Sequence, residues 1–307
     1  MTAIRLPALI GSHPLGALAA FGLLRLTNTT WDDQAKVRFE MEDDWIALLD
    51  TSAFGSVDEL IARLSEQVTS SDLDRALGWA DDVRVSFDDY RRYLGSALRD
   101  DDRYWADFLT AIATDGAVDK QKQLVKPSAF YMVSGQQSFI EGMKQILALV
   151  RAQPVTLFQE ALIGPWTYKS RTHSLGWDPN AERLYALRHK APTAEKPSCV
   201  AGAMLLAFLA LPLMPVVSKA GRAMTIGFSR GRGNQRFCWP IFSSGIDSFE
   251  LQSLLRAGGR CWVAKDRPSL RRGIEAVFES ERFEFGQGYA VLRAARRLSL
   301  ENLLTLL

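Results

Sequence analysis

The chain has 307 residues, of which 47% are hydrophobic, 23% charged and 10% aromatic. That balance excludes a disordered or collagen-like polymer and leaves enough apolar residues for one large or two ordinary domains. The formal net charge of +2 hides a split: residues 1–120 hold 12 Lys/Arg against 22 Asp/Glu, and residues 121–307 hold 25 against 13. Such segregation points to an anionic partner or an acidic neighbour for the second half. The competing reading is that the acids of the first half only line solvated helices.

In chain order, Ile4–Ile10 reads as a strand, Gly-Ser-His-Pro at 11–14 as a turn, and Pro14–Leu26 as an apolar helix with Pro14 at its first position. Lys36–Glu42 alternates apolar Val37, Phe39 and Met41 with polar Lys36, Arg38 and Glu40, which predicts a half-buried strand; Trp45–Asp50 extends it or begins another. Ser56 with Glu59 three residues on opens an amphipathic helix to Gln67. Residues 68–120 carry Asp-Asp pairs at 81–82, 88–89 and 100–101, and Arg99–Ala113 reads as a capped helix. Ser138–Ala152 and Val155–Ile163 follow as helices closed by Gly164-Pro165.

Cys199 to Val217 is 19 uncharged residues, close to a membrane-spanning length, but Pro212 and Pro215 interrupt it, so it reads as a buried helix of three to four turns. Beyond Ser248 the spacing predicts helices over Phe249–Leu255, Ser269–Phe278 and Tyr289–Leu298, with a short strand at Cys261–Ala264. The expected fold is a mixed, helix-rich α+β chain with short antiparallel strands in its N-terminal part and around the Gly/Arg loop. A boundary near Lys126 would divide an acidic α+β region, 1–125, from a basic, mainly helical region, 126–307, with one continuous domain as the alternative.

Catalytic signatures are sparse. The three histidines, His13, His173 and His189, lie in no nucleophile motif, and Cys199, Cys238 and Cys261 fit neither a disulfide framework nor a zinc site. The odd cysteine count and the lack of a recognisable leader predict a reducing, cytoplasmic setting without a membrane, and no cofactor is implied. The Asp-Asp pairs could in principle hold Mg²⁺, which keeps a metal-dependent nuclease as an alternative; as helix starts they would instead meet unpaired backbone N–H groups.

Cationic loops offer the stronger signal. GFSRGRGNQR at 227–236 is neither a Walker loop nor a dinucleotide fingerprint, yet it carries Arg230, Arg232 and Arg236 with no acid. Guanidinium groups fork onto phosphates, and Phe228, Phe237 and Trp239 would stack bases. The competing reading is a β-turn between strands TIGF and RFCWPIF, with arginines there for solubility. Arg222 lies just before this loop. Lys169 and Arg171 belong to an acid-free TYKSR run, while Arg188 and Lys190 flank His189, whose neutral ring would stack on or bond a base. Replacing Arg230, Arg232 and Arg236 with Glu is expected to abolish binding and leave the fold intact. A protein-binding scaffold whose basic half docks an acidic partner remains a third reading.

The segments HPLGALAAFGLLRL, SGQQSFI, HSLGWDPNAERLYALRHKAP, GAMLLAFLALPLMPVV and RGIEAVFESERF, spread from His13 to near Tyr289, resemble proteins encoded in type I-U (I-G) CRISPR–Cas loci. The resemblance implies a non-enzymatic large-subunit-like or accessory component of an RNA-guided, Cascade-type surveillance complex. Such subunits contact guide RNA (crRNA) or target DNA beside other effector subunits and help to recognise the flanking DNA motif.

Overall fold

The computed structural model describes residues 1–133, 137–181, 197–230, 234–258, 273–285 and 289–298. The chain opens with strand β1 (Thr2–Ile10) and helix α1 (Pro14–Thr29), followed by β2 (Lys36–Met41) and β3 (Trp45–Thr51). These form an antiparallel three-stranded sheet in the order β1-β3-β2, with Ile4 opposite Leu49 and Val37 opposite the same Leu49 on the other side. The alternation read in Lys36–Glu42 holds at Val37 and Phe39, which are buried, whereas Met41, expected on the same face, is exposed at the strand's end.

Four helices follow: α2 (Val57–Gln67), α3 (Ser71–Leu77), α4 (Phe87–Arg99) and α5 (Arg103–Ile112). Their starts consume much of the acid in the first half. Ser56, Ser86 and Asp102 accept hydrogen bonds from the backbone N–H of Glu59, Asp89 and Trp105, and Asp58, Asp72, Asp74, Asp88 and Asp89 sit in first turns. Carboxylates placed there meet the positive end of the helix dipole.

A hairpin of β4 (Ala113–Val118) and β5 (Val125–Pro127) leads into α6 (Phe139–Ala152) and α7 (Pro154–Leu162). The boundary suggested near residue 125 thus falls inside a hairpin. Every residue of α8 (Ala201–Ala210) is buried, and Leu211–Leu213 close it as a 3₁₀ turn at Pro212. Among the described residues no helix is long and apolar enough to cross a membrane. Helix α8 packs on α1 so closely that a Cβ on Gly22 would lie 1.7 Å from the Leu206 carbonyl oxygen. Glycine is therefore required at the contact joining the two halves, which share one hydrophobic core.

The remaining strands are β6 (Val216–Lys219), β7 (Arg222–Thr225), β8 (Phe228–Arg230), β9 (Gln235–Phe242), β10 (Ile274–Phe285), β11 (Tyr289–Leu292) and β12 (Arg296–Arg297), with helix α9 (Ser248–Ala257) between β9 and β10. Strands β11-β10-β9-β8 form one antiparallel sheet, in which β12 also pairs with β10. Trp239 ties this sheet to the first by donating from Nε1 to the Gly11 carbonyl at 2.7 Å.

Helix α9 stands as predicted, opened by a reciprocal capping box of Asp247 and Glu250. The expected helices over Ser269–Phe278 and Tyr289–Leu298 are corrected: Ile274–Phe278 begins β10, and Tyr289–Leu298 holds β11 and β12. Ala276, Val277, Phe278, Glu279 and Ser280 are consecutively buried because β10 runs between partners within the sheet. Burial on both faces erases the two-residue alternation by which a strand is usually read. The expected strand at Cys261–Ala264 lies outside the described residues.

Candidate nucleic-acid interface

The β6–β7 hairpin is built by the local sequence VVSK-AG-RAMT. Ala220 and Gly221 both have positive φ, 52° and 70°, the signature of a two-residue type I′ turn that matches the twist of its strands. The register pairs Val216 with Thr225, Val217 with Met224, Ser218 with Ala223, and Lys219 with Arg222. Alternation then gives the ribbon two faces. Its inner face packs on the β4–β5 hairpin: Ser218 donates to the Gly116 carbonyl at 2.5 Å, and Thr225 Oγ1 accepts from Ala129 N–H at 2.7 Å. Its outer face carries Val217, Lys219, Arg222 and Met224, all exposed, with no acid among them. Lys219 and Arg222 form no ion pair among the described residues. A Cβ on Gly221 would meet nothing within 4 Å, so the turn is a projecting tip.

The second hairpin, β8–β9, pairs Phe228 with Phe237 and Arg230 with Gln235. Strands β8 and β9 pair antiparallel on either side of the Gly/Arg loop, whose residues 231–233 lie outside the described residues. Arg188, His189, Lys190 and Arg232 lie outside the described residues. Arg230 ends β8.

Three of the predicted contact residues are corrected. Trp239 cannot stack a base, because it is fully buried, lies between the rings of Phe237 (centroids 4.9 Å apart) and Phe278 (6.1 Å), and spends its indole N–H on Gly11. Phe237 is likewise buried, with Phe228 packed against it. Arg236 turns inward: Nη1 lies 3.5 Å from Glu279 Oε1, an ion pair without hydrogen-bond alignment, and the carboxylate is only 7% exposed. Arg296 grips the same Glu279 at 2.5 Å. Replacing Arg236 with Glu would set two carboxylates together, so the triple Arg→Glu variant is not neutral for folding.

Arg293, Arg296 and Arg297 are part-exposed to exposed, yet each engages a group of β10, Arg296 through Glu279. Arg293 pairs with Glu281 at 3.6 Å and lies over the Phe283 ring, and Arg297 donates to the Glu275 carbonyl at 3.0 Å.

Lys169 and Arg171 are exposed and without ion pairs among the described residues, on a loop held from below. Ser170 is buried in a bridge to Cys199, and Trp166 contacts His13 edge to face. Within this support, His13 caps α1 by accepting from Gly16 N–H at 3.4 Å, while its Nε2 lies 3.6 Å from the buried Asp178. Burial raises the Asp178 carboxyl and lowers the His13 imidazole. The Cys199 thiol is pushed up to about 12 by burial and then by Asp178 and Glu160, so at neutral pH it is a protonated core group, unsuited to act as a nucleophile.

One member of each acidic pair is engaged internally: Asp82, Asp89 (with Ser86 and Arg92) and Asp100. Asp82 accepts from Tyr131 O–H at 2.8 Å, from Phe139 N–H at 3.2 Å and from Arg84 at 3.2 Å; Asp100 and Asp102 both meet Arg75. Among the described residues no group of three or more His, Cys, Asp or Glu side chains is arranged to hold a metal ion.

Lys219 escapes a reading that follows arginines and glycines alone. The signal for it is present as alternating VVSK and RAMT around a two-residue Ala-Gly turn. No protein-family model and no curated protein matches the sequence.

Proposed function

We propose that the chain is a non-catalytic nucleic-acid-binding subunit of an RNA-guided, Cascade-type complex, and that the outer face of the β6–β7 ribbon is its principal contact. The observation that carries this reading is the pairing of Lys219 with Arg222 beside Val217 and Met224 on a projecting hairpin with no carboxylate on that face. Cations without internal partners gain most from phosphates, whose condensed counterions they release. A two-stranded ribbon also fits the B-form major groove, about 12 Å wide, and apolar tips such as Val217 and Met224 can lie against sugars and base edges. Lys169 and Arg171 supply a second exposed cationic loop. The class of assembly rests on the sequence resemblance, and the mode of contact rests on the ribbon.

The deciding experiment follows binding of labelled single-stranded RNA, single-stranded DNA and duplex DNA across a salt series, for the wild type and for Lys219→Ala/Arg222→Ala. The expected outcome is weaker binding with a log–log salt slope shallower by about 2, from two lost phosphate contacts. Unchanged affinity and slope in the folded double variant would refute the ribbon's role. Capture of the native protein with a guide RNA would support the assembly, whereas capture with an acidic protein and no nucleic acid would favour the scaffold reading.

A further inference from the structure

The inner side of the same ribbon walls a cleft of about 640 Å³, within the range of roughly 300–1,000 Å³ typical of small-molecule sites. Its sides are small and apolar, from Pro127, Ala129 and Ala223, and its polar rim carries Gln235 and Glu284. The cleft is no phosphate site. Its guanidinium, Arg282, is spent on the Ala129 and Tyr131 carbonyls at 3.0 and 3.2 Å and on the Glu284 carboxylate. What remains is neutral hydrogen-bonding capacity. The Gln235 side chain has no partner among the described residues, and the exposed Glu284 carboxylate keeps acceptor positions beyond those that Arg282 fills.

We infer that this cleft receives one unstacked nucleobase, by preference guanine; for a base within a strand, the inference rests on the nucleic-acid reading above. The small side chains of Pro127, Ala129 and Ala223 leave room for a ring system, and a carboxylate and an amide on one rim suit an edge presenting donors next to an acceptor. Guanine offers N1–H and the N2 amino group to Glu284 and O6 to the Gln235 amide. The β6–β7 ribbon separates the two functions: its outer cations take phosphates, and its inner face, through Ala223 and Thr225, borders the base. The same chemistry fits a free nucleoside, which carries no phosphate for the outer face.

Two titrations separate these sources. Calorimetry with guanosine tests the cleft alone. Anisotropy with an all-thymine oligonucleotide, and with the same strand carrying one guanine, tests it within nucleic acid. The wild type is expected to bind guanosine and to prefer the guanine-bearing strand by roughly fivefold to 100-fold, the range for one good edge contact. Gln235→Ala and Glu284→Gln should each bring that preference towards unity with all-thymine affinity unchanged; Lys219→Ala/Arg222→Ala should weaken both strands equally and keep it. Circular dichroism establishes that the variants fold. Strand binding without preference, together with no guanosine binding, overturns the cleft and leaves the ribbon standing. Guanosine binding without strand binding keeps the cleft as a nucleoside site and removes the nucleic-acid reading. Guanosine binding and preference both unchanged in the two cleft variants also overturn the assignment.

Discussion

The β6–β7 ribbon and the β9–β10–β12 end of the larger sheet are both rich in cations, and they use them in opposite ways. On the ribbon, Lys219 and Arg222 stand on an acid-free face at a projecting turn. In the sheet, Arg236 and Arg296 converge on the buried Glu279, Arg293 meets Glu281, and Arg282 is locked to two backbone carbonyls and Glu284. A surplus of arginine in a stretch of sequence is therefore not the footprint of a ligand. Whether a guanidinium is available depends on carboxylates that strand pairing places beside it, as β10 brings Glu279 to both Arg236 and Arg296.

The largest expected effect breaks the sheet side of this contrast. Glu279→Gln would leave the part-buried Arg236 and the half-exposed Arg296 facing an uncharged amide, and urea denaturation should show a loss of up to about 3 kcal/mol. If the variant is as stable as the wild type, the clasp is not structural. Gly22→Ala comes next, because its methyl would collide with the Leu206 carbonyl. Overpacking of this kind costs about 1–3 kcal/mol, measured the same way. As α8 leads through Leu211–Leu213 into β6, nucleic-acid binding should decline together with stability.

Lys219→Ala/Arg222→Ala should separate the two properties, with stability unchanged to within about 0.5 kcal/mol while binding weakens. Thermal melts beside the salt series check both. The smallest effect concerns the support of the Lys169–Arg171 loop. Burial lowers the His13 imidazole, so the unfolded chain takes up that proton more readily than the folded one. The stability His13 contributes is therefore present above its unfolded value near 6.5 and is lost as pH falls through the lowered one. His13→Asn, which keeps a capping acceptor for Gly16 N–H, should remove that component from melts compared between pH 7.5 and 5.

Much of the scaffold was legible because its signals are local. Ser56 with Glu59, the Val37–Phe39 alternation, Pro14 at a helix start and Pro212 at a helix end each act within a few residues, and the structure follows them. Strand β10 was not legible, since Ala276 to Ser280 are buried without a break and the two-residue alternation is lost there. The candidate interface was half legible. Arg222, Lys169 and Arg171 stand exposed as expected, whereas Arg236 and Trp239 point into the core.

By itself the sequence determined the mixed α+β class, the buried course of α8 and the excess of cations in the second half, because hydrophobic patterning, capping and composition are properties of short stretches. Only the tertiary structure decided which cations remain free. That choice rests on long-range pairing: Glu279 reaches Arg236 through strand register and Arg296 through a chain reversal, while the hairpin turning at Ala220-Gly221 leaves Lys219 and Arg222 without an ion pair among the described residues.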